Sequence, residues 1–497
     1  MAWAFGDGFD CYAAPADAFN GYWDSGVAST ATLVAGRFSG SQALSMPSST
    51  TFNLVKSSGQ NDAVHHLVYA FRQTTAISGT TLGAYLQLLD GTTAQCSIVH
   101  RSDGAILLTS GGPAGAVLDT YTGAVSVINT WYAFECEVVI SNTVGRLRVR
   151  KNGNPVDDYD STAIRDTQNS ANAYANKLQV GEQAAVNAHQ LDDLYWRSDA
   201  SSVAWMGDIR AYTRMPASDA SVQFARAAVS TTQTLGAQNT TAANTSGLAH
   251  YDQFIPSASG VISQVNFNLG VAGMTGHVMA AIYDNTGIGG NPGSVLATSN
   301  PITNPVIGFN ALTFPSPVHV SRGQTYWVAF DQDASATYNV SSSVLTSLTN
   351  TTAYASFPVT APAGFTTGQR QFYAQIIYLA TQNNDCVNEP QQDATTSYVY
   401  DSVVGHSDLY GIAPIASTPL VTHAVVTRAY MIKSDSGTRT AAVQLKSGGT
   451  TVASPTVVLT TSNWQWAWRH DTTDPQTGTA WTAAAVNLVN VGPLVVA

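Results

Sequence analysis

At 497 residues, with 44% hydrophobic residues and only 11% charged ones, the chain is too long for a single small module and too apolar to be disordered throughout. Its formal net charge of −11 and its few lysines, Lys56, Lys151, Lys177, Lys433 and Lys446, leave no phosphate-tracking stripe, so nucleic acid is excluded as an expected partner. What remains is a surface rich in Ser, Thr, Asn and Gln, suited to partners read by hydrogen bonds and aromatic faces, on a chain long enough for about three domains.

The opening MAWAFGDGFDCY has no basic leader and no sustained apolar run, so synthesis in a cytoplasm without secretion is expected. No stretch approaches the ~20 apolar residues that span a bilayer, and no membrane insertion is expected. Cys11, Cys96, Cys136 and Cys386 lie far apart in sequence and read as reduced core thiols. Helical periodicity is nearly absent. Short β-branched or aromatic runs separated by Gly, Asn, Pro and Asp predict an all-β protein. His65-His66 falls in a strand, where alternation predicts one buried and one exposed ring. Trp131 to Ile140 places Phe134, Cys136, Val138 and Ile140 on one core-facing side. Gly145 to Arg150 alternates apolar and basic residues, and Asn152-Gly153 then predicts a tight hairpin turn before Val156. Leu178–Gly181 and Leu191–Trp196 predict two further strands, and sheets with this spacing pack face to face.

The residues Asp7-Gly-Phe-Asp10-x-Tyr12, the strand with Trp131 and Glu137, the hairpin at Asn152-Gly153 and the closing Leu191-Asp-Asp-Leu-Tyr195 resemble a concanavalin A-like (laminin-G-like) jelly-roll sandwich. Met206-Gly-Asp-Ile-Arg210 followed by Pro216 resembles the exit of that domain in virion proteins of tailed bacteriophages. In that group the text continues with a segment like Asn388-Glu-Pro390, Asp393-x-x-Thr-Ser-Tyr-Val399, Gly405 and Asp408-x-Tyr410. Three domains follow: a concanavalin A-like β-sandwich over 1–227, an inserted jelly-roll, carbohydrate-binding-like module over 228–381, and a C-terminal β-sandwich over 382–497. The insert opens with a Thr-, Ala-, Asn- and Gln-rich stretch from Ala227 to Gly247, a hinge or an extended entry strand. Its strands are expected at Val261–Leu269, Val278–Tyr283, Thr325–Phe330 and Phe372–Tyr378. Asp284 to Gly293 and Arg322-Gly-Gln-Thr-Tyr-Trp327 resemble a jelly roll common in adhesins, with Arg322 and Arg370 as its clear cations. The C-terminal strands are expected at Val421–Ile432, Ala441–Leu445, Val457–Leu459 and Trp464–Arg469.

Several constellations carry chemistry. Glu135 and Glu137 share a strand face, as the acid and base of a glycosidase would, but the Glu-x-Asp-x-Glu pattern of this fold's glucanases is broken by Val139. A solvated or hydrogen-bonded face is the preferred reading. Asp157, Asp158 and Asp160, with Asp192 and Asp193, offer oxygen ligands that would suit Ca²⁺. Turn-forming aspartates are the commoner state, no cofactor is required, and Asp331-Gln-Asp333 has the same standing. Trp464, Trp466 and Trp468 share one strand face, either as an aromatic platform for sugar or partner or, the preferred reading, as core. Trp327 follows Tyr326, so one of them is expected outside, which makes Trp327 a further candidate sugar contact beside Trp464, Trp466 and Trp468, while Tyr326 with Phe372 and Tyr378 reads mostly as core. No HExxH, GxSxG, Walker loop or GxGxxG occurs.

From the resemblance, the expected function is a non-enzymatic structural component of a tailed-phage virion, in the tail, fibre or surface decoration, binding a host-surface polysaccharide. Its other partners would be virion proteins and copies of itself, as a homotrimer. Two alternatives stand beside it: a polysaccharide depolymerase working through Glu135 and Glu137, and a purely architectural decoration protein.

Overall fold

The computed structural model describes residues 3–497 apart from 20, 28–30, 47–51, 157–158, 161–162, 184–188, 200–203, 228–229, 239, 245, 257–258, 322, 352–356, 362–363, 381, 389–396 and 416–420. Strands dominate; the described helical pieces are the 3-10 turns Pro15–Phe19 and Asn384–Cys386 and the short helix Ala483–Val486. The chain forms two compact units, one of Met1–Met215, Pro390–Gln392 and Ser402–Ala497, the other of Pro216–Glu389 and Asp393–Asp401. The all-β expectation holds. Residues 402–497 fall in the first unit and carry a sheet of their own, through Leu409–Ile412, Asn490–Val495, Arg439–Ser447 and Thr450–Ala453.

Two antiparallel sheets make the sandwich of the first unit. One runs Tyr159–Asp160, Arg146–Lys151, Tyr132–Val139, Val64–Gln73, His189–Asp199, Gln42–Met46, Thr32–Ala35, with Trp3–Asp7 also paired to His189–Asp199. The other runs Val117–Tyr121, Ile106–Ser110, Thr93–Arg101, Leu82–Asp90, Ala175–Glu182, Asn53–Asp62, Ser25–Val27. Period-two alternation supplies the core between them: Phe134, Cys136 and Val138 from one sheet meet Leu86, Ile98 and Val180 from the other. Asn152 (φ 56°) and Gly153 (φ 69°) take the left-handed turn conformation. The partner strand resumes at Tyr159, opposite Val149, and not at Val156, which is exposed.

The central strands of the first sheet, Val64–Gln73, Tyr132–Val139 and His189–Asp199, are buried on both faces. The sheet's outer side carries Ala4, Val68 and Tyr195, against which Met206, Ile209 and Ala424 pack. Both His65 and His66 are therefore buried, which corrects the alternation reading. His65 faces the core and accepts the Trp196 indole N–H at 3.2 Å, while His66 faces Glu137 on the other side at 3.2 Å.

The C-terminal segment joins this unit along an aromatic seam. The strands Val425–Met431 and Gln465–Asp471 pair with each other. From them the Trp466 and Trp468 indoles donate to the carbonyls of Asp17 and Gly21 at 2.9 and 3.0 Å. The guanidinium of Arg428 lies 4.3 Å from the Tyr22 ring centroid and 3.5 Å from Asp7 Oδ1, and it donates to Tyr12 Oη and Cys11 Sγ, each at 3.2 Å. A desolvated cation against an aromatic face contributes about 2 kcal/mol, and it would be costly buried without these partners. All four cysteines are free thiols.

In the second unit, strands run in the order Ser230–Leu235, Ala374–Leu379, Gly260–Leu269, Ala336–Thr351, Leu248–Phe254, Tyr326–Gln332, His277–Tyr283, Val295–Thr298. The Thr- and Asn-rich opening is thus strand rather than hinge, through Ser230–Leu235 and Thr240–Asn244. One apolar cluster, with Phe267, Ile282, Phe330 and Ile376, fills the main core. A second, with Tyr251, Tyr283, Trp327 and Phe357, lies on the opposite side of the same strands.

Candidate functional site

The register of the first sheet sets Glu137 opposite His66 and Arg148, and Glu135 opposite Val68 and Arg150. Both carboxylates are buried, at 2% and 0% exposure for Glu135 and Glu137, so of the solvated or hydrogen-bonded face expected of them it is the hydrogen-bonded one that forms. Glu135 Oε1 and Oε2 accept the backbone N–H groups of Met206 and Gly207 at 2.6 and 2.8 Å. Burial pushes its carboxyl up, and these two bonds pull against that rise. Glu137 takes Arg146 at 2.9 Å and Arg148 at 3.4 Å beside His66. Burial raises its carboxyl, His66 and Arg146 pull harder the other way, and the result is about 2. Trp205 closes the arrangement, with the Arg148 and Arg150 guanidinium carbons 5.0 and 4.3 Å from its ring centroid.

The pair therefore fastens a chain strap, Trp205 to Arg210, across the sheet. Glu135 is not presented to a glycosidic bond, and Glu137 is held ionised by two cations, so neither supplies an exposed general acid. The Met206-Gly-Asp-Ile-Arg210 text is explained residue by residue. Gly207 has φ +81° and gives its N–H to Glu135; Asp208 takes both guanidinium nitrogens of Arg37; Ile209 packs on the Ala4–Tyr195 patch.

Among the aspartates, Asp157 and Asp158 lie outside the described residues. Asp160 is exposed, 3.7 Å from Arg148. Asp192 and Asp193 are buried at a strand irregularity, with Asp193 at φ +50°. Asp192 accepts the N–H of Arg37 at 2.8 Å and of Asp193 at 2.7 Å, and Asp193 accepts that of Ala211 at 2.7 Å. Burial first holds both carboxyls above the ordinary range, helped by Asp193 and Asp10 for Asp192 and by Asp10 and Asp208 for Asp193. In the second unit Asp331 is buried and pushed up to about 6 by that burial, while Asp333 bonds His277 Nδ1 at 2.6 Å. Among the described residues no group of three or more His, Cys, Asp and Glu side chains is placed to hold a metal ion.

The tryptophans named as carbohydrate contacts are placed in the fold. Trp327 is 1% exposed and donates to Asn285 Oδ1 at 2.8 Å, pinning the base of the Asp284–Gly293 loop, while Tyr326 beside it is half-buried. Trp466 is buried, and Trp464 and Trp468 are half-buried, Trp464 stacked on Tyr430. Phe372 and Tyr378 are core. Arg322 and the Arg370 side chain lie outside the described residues.

A pocket the sequence did not announce opens beside the end of the strap. It is an open depression of about 150 Å³ between Ser39, Gly40 and Ser41 on one loop and Arg210, Tyr212 and Thr213 on the other, with Asp10 also lining it. Gly40 (φ +83°) has open space where a side chain would begin. Asp10 accepts Gln42 N–H at 2.6 Å and Thr213 Oγ1–H at 2.8 Å. Tyr212 is 39% exposed. Hydroxyls, an aromatic face and a guanidinium around a small cavity are groups that bind a polar ring compound. Arg210 and Tyr212 were missed because an Arg-x-Tyr in a loop has no period to mark it.

The family described as "domain of unknown function (DUF4082)" matches residues 231–381. No curated protein matches the chain. Among solved structures, the chain is similar to the catalytic domain of a glycoside hydrolase family 131 protein from Coprinopsis cinerea, at 15% identity and a TM-score of 0.29, covering 41% of this chain and 97% of that one. It is similar also to a carbohydrate esterase of the Shiga toxin-encoding bacteriophage phi24B, at 14% identity and 0.26, covering 35% and 89%. A third is arcelin-5, a lectin-like defense protein from Phaseolus vulgaris, at 7% identity and 0.26, covering 40% and 98%. Function at these TM-scores has to be read from the chain's own residues.

Proposed function

We propose that the protein is a non-enzymatic, glycan-binding structural component of a tailed-phage virion. The observation that carries the binding half is the contrast between two sites. The one carboxylate pair that suggested hydrolysis is buried and engaged in holding the strap, whereas the pocket of Ser39, Ser41, Arg210 and Tyr212 is open and lined with groups able to hydrogen-bond and stack on a sugar. The virion half rests on the resemblance of the Met206–Arg210 exit segment and of the text around Asp408-x-Tyr410. A sparsely charged, hydroxyl- and amide-rich chain suits weak sugar contacts multiplied by oligomerisation, for which a homotrimer is expected.

The test incubates the purified chain with host surface polysaccharide and follows binding and the appearance of reducing ends in the same sample. Binding without release of reducing ends supports the proposal. Reducing ends that vanish in a Glu135→Gln, Glu137→Gln double variant would restore the depolymerase. Mass spectrometry of purified particles checks the virion assignment, and absence of the chain from them would remove it.

A further inference from the structure

We infer that the pocket beside Tyr212 selects a carboxylated sugar, with Arg210 as the residue that reads the carboxylate. This rests on the glycan-binding reading and names its ligand class. Two arginines converge here and are used differently. Arg37 gives both terminal nitrogens to Asp208 and lies 3.8 Å from Asp193 Oδ2, so its charge is spent inside the fold. Arg210 has no carboxylate within 4 Å among the described residues; its guanidinium carbon lies 3.7 Å from the Phe38 ring centroid and 4.2 Å from that of Tyr212, and Nη1 donates to Tyr212 Oη at 3.3 Å.

A guanidinium has five N–H donors in a planar fork, and one internal bond leaves the others for a ligand. Held between two rings, Arg210 gives up little rotamer freedom on binding. A planar fork with open donors matches a carboxylate, which it can take with two parallel hydrogen bonds. The remaining walls match the rest of a pyranose: the Ser39, Ser41 and Thr213 hydroxyls offer hydrogen-bonding groups, the open ground over Gly40 leaves room for the ring, and Tyr212 presents aromatic surface. Asp10 is the one acid lining the pocket. Both its oxygens already accept internal donors, the Gln42 N–H and the Thr213 hydroxyl, so they are turned to the fold rather than left for a ligand. In a chain of net charge −11, the field of the whole molecule discourages anions, so capture of one needs a local, pre-oriented cation such as this.

Calorimetric titration of the full chain with oligogalacturonate, oligoalginate and hyaluronan fragments, each beside the same oligomer with its carboxyls reduced to alcohols, tests this. At least one uronate is expected to bind ten or more times tighter than its reduced partner. Arg210→Gln should bring the two to the same affinity, and Tyr212→Phe, which frees the guanidinium from its hydroxyl anchor without removing charge, should narrow the preference several-fold. Near-UV circular dichroism and the thermal midpoint of each variant report whether the fold is kept. Equal binding of every oligomer and its reduced form, or an undiminished preference in a folded Arg210→Gln protein, overturns the inference while leaving glycan binding in place. If neither these oligomers nor host polysaccharide bind, both fall.

Discussion

Glu135 and Glu137 show how a carboxylate's position in a sheet fails to reveal its task. In the sequence they are an i, i+2 pair on a strand, as a hydrolase would place them; in the fold each has become a fastener. Glu135→Ala would leave the Met206 and Gly207 N–H groups without an acceptor beneath the strap, and a loss of about 1–3 kcal/mol is expected from urea denaturation. Glu137 behaves differently with pH. Its folded value of about 2 lies below its ordinary 4.5, so its contribution is complete above pH 4.5 and is lost as pH falls toward 2. The stability gap between wild type and Glu137→Gln should shrink across that window; a gap constant with pH would show that the ion pairs to Arg146 and Arg148 are not what holds the carboxyl ionised.

The strands were legible in the text, and their surroundings were not. Alternation located the Tyr132–Val139 and His189–Asp199 strands and the core side of the former, because a half-buried strand writes its inward face into every second residue. It misjudges His65 and His66 because alternation presumes one wet face, and the central strands of this sheet have none. The cover comes from residues 206–209 and 424, far along the chain, and no local pattern encodes it. The pocket was equally hidden, being built from two loops more than 160 residues apart, Ser39–Ser41 and Arg210–Thr213. The strap makes its own prediction. Gly207 sits at φ +81° with nothing within 4 Å of an added Cβ, so Gly207→Ala is expected to cost about 1 kcal/mol from backbone conformation alone, read as a lower urea midpoint with an unchanged slope. On the seam, Trp466→Phe keeps most of the packing and removes the bond to the Asp17 carbonyl, for an expected loss of about 1 kcal/mol. Trp466→Ala should cost about 3–5 kcal/mol; equal losses in the two variants would mean that the indole N–H, not the ring's volume, does the holding.

The first unit as a whole carries an unusual inventory of displaced protons. Burial lowers four of its histidines, with His65 at about 3, His470 at about 4, and His100 and His423 also below 6.5. Burial raises five of its carboxyls, Asp10, Glu135, Glu182, Asp192 and Asp193. A carboxyl raised on folding adds stability that is fully present below its unfolded value and lost as pH rises through its folded one. A histidine lowered on folding removes stability as pH falls below 6.5. On the alkaline side of 6.5 the carboxyls act alone, and below it the histidines oppose them. The thermal midpoint of this unit should peak between about pH 5 and 6.5 and decline toward pH 9, the decline flattening in an Asp192→Asn, Asp193→Asn variant. A midpoint level from pH 6 to 9 would contradict the raised aspartates.

The seam between the Pro15–Phe19 turn and the Gln465–Asp471 strand also sets a timetable for synthesis. The ribosome releases the Phe5, Tyr22 and Trp23 surface early, then all of the Pro216–Glu389 unit, and only afterwards the Arg428 and Trp466 side chains that cover it. Through most of translation the nascent sandwich shows an uncovered aromatic flank, while the middle of the chain is free to fold on its own contacts. A polypeptide stopped before Val425 would keep that flank exposed for good, which marks it for chaperones, proteases or aggregation. Production in cells should accordingly yield little stable product from chains cut short there.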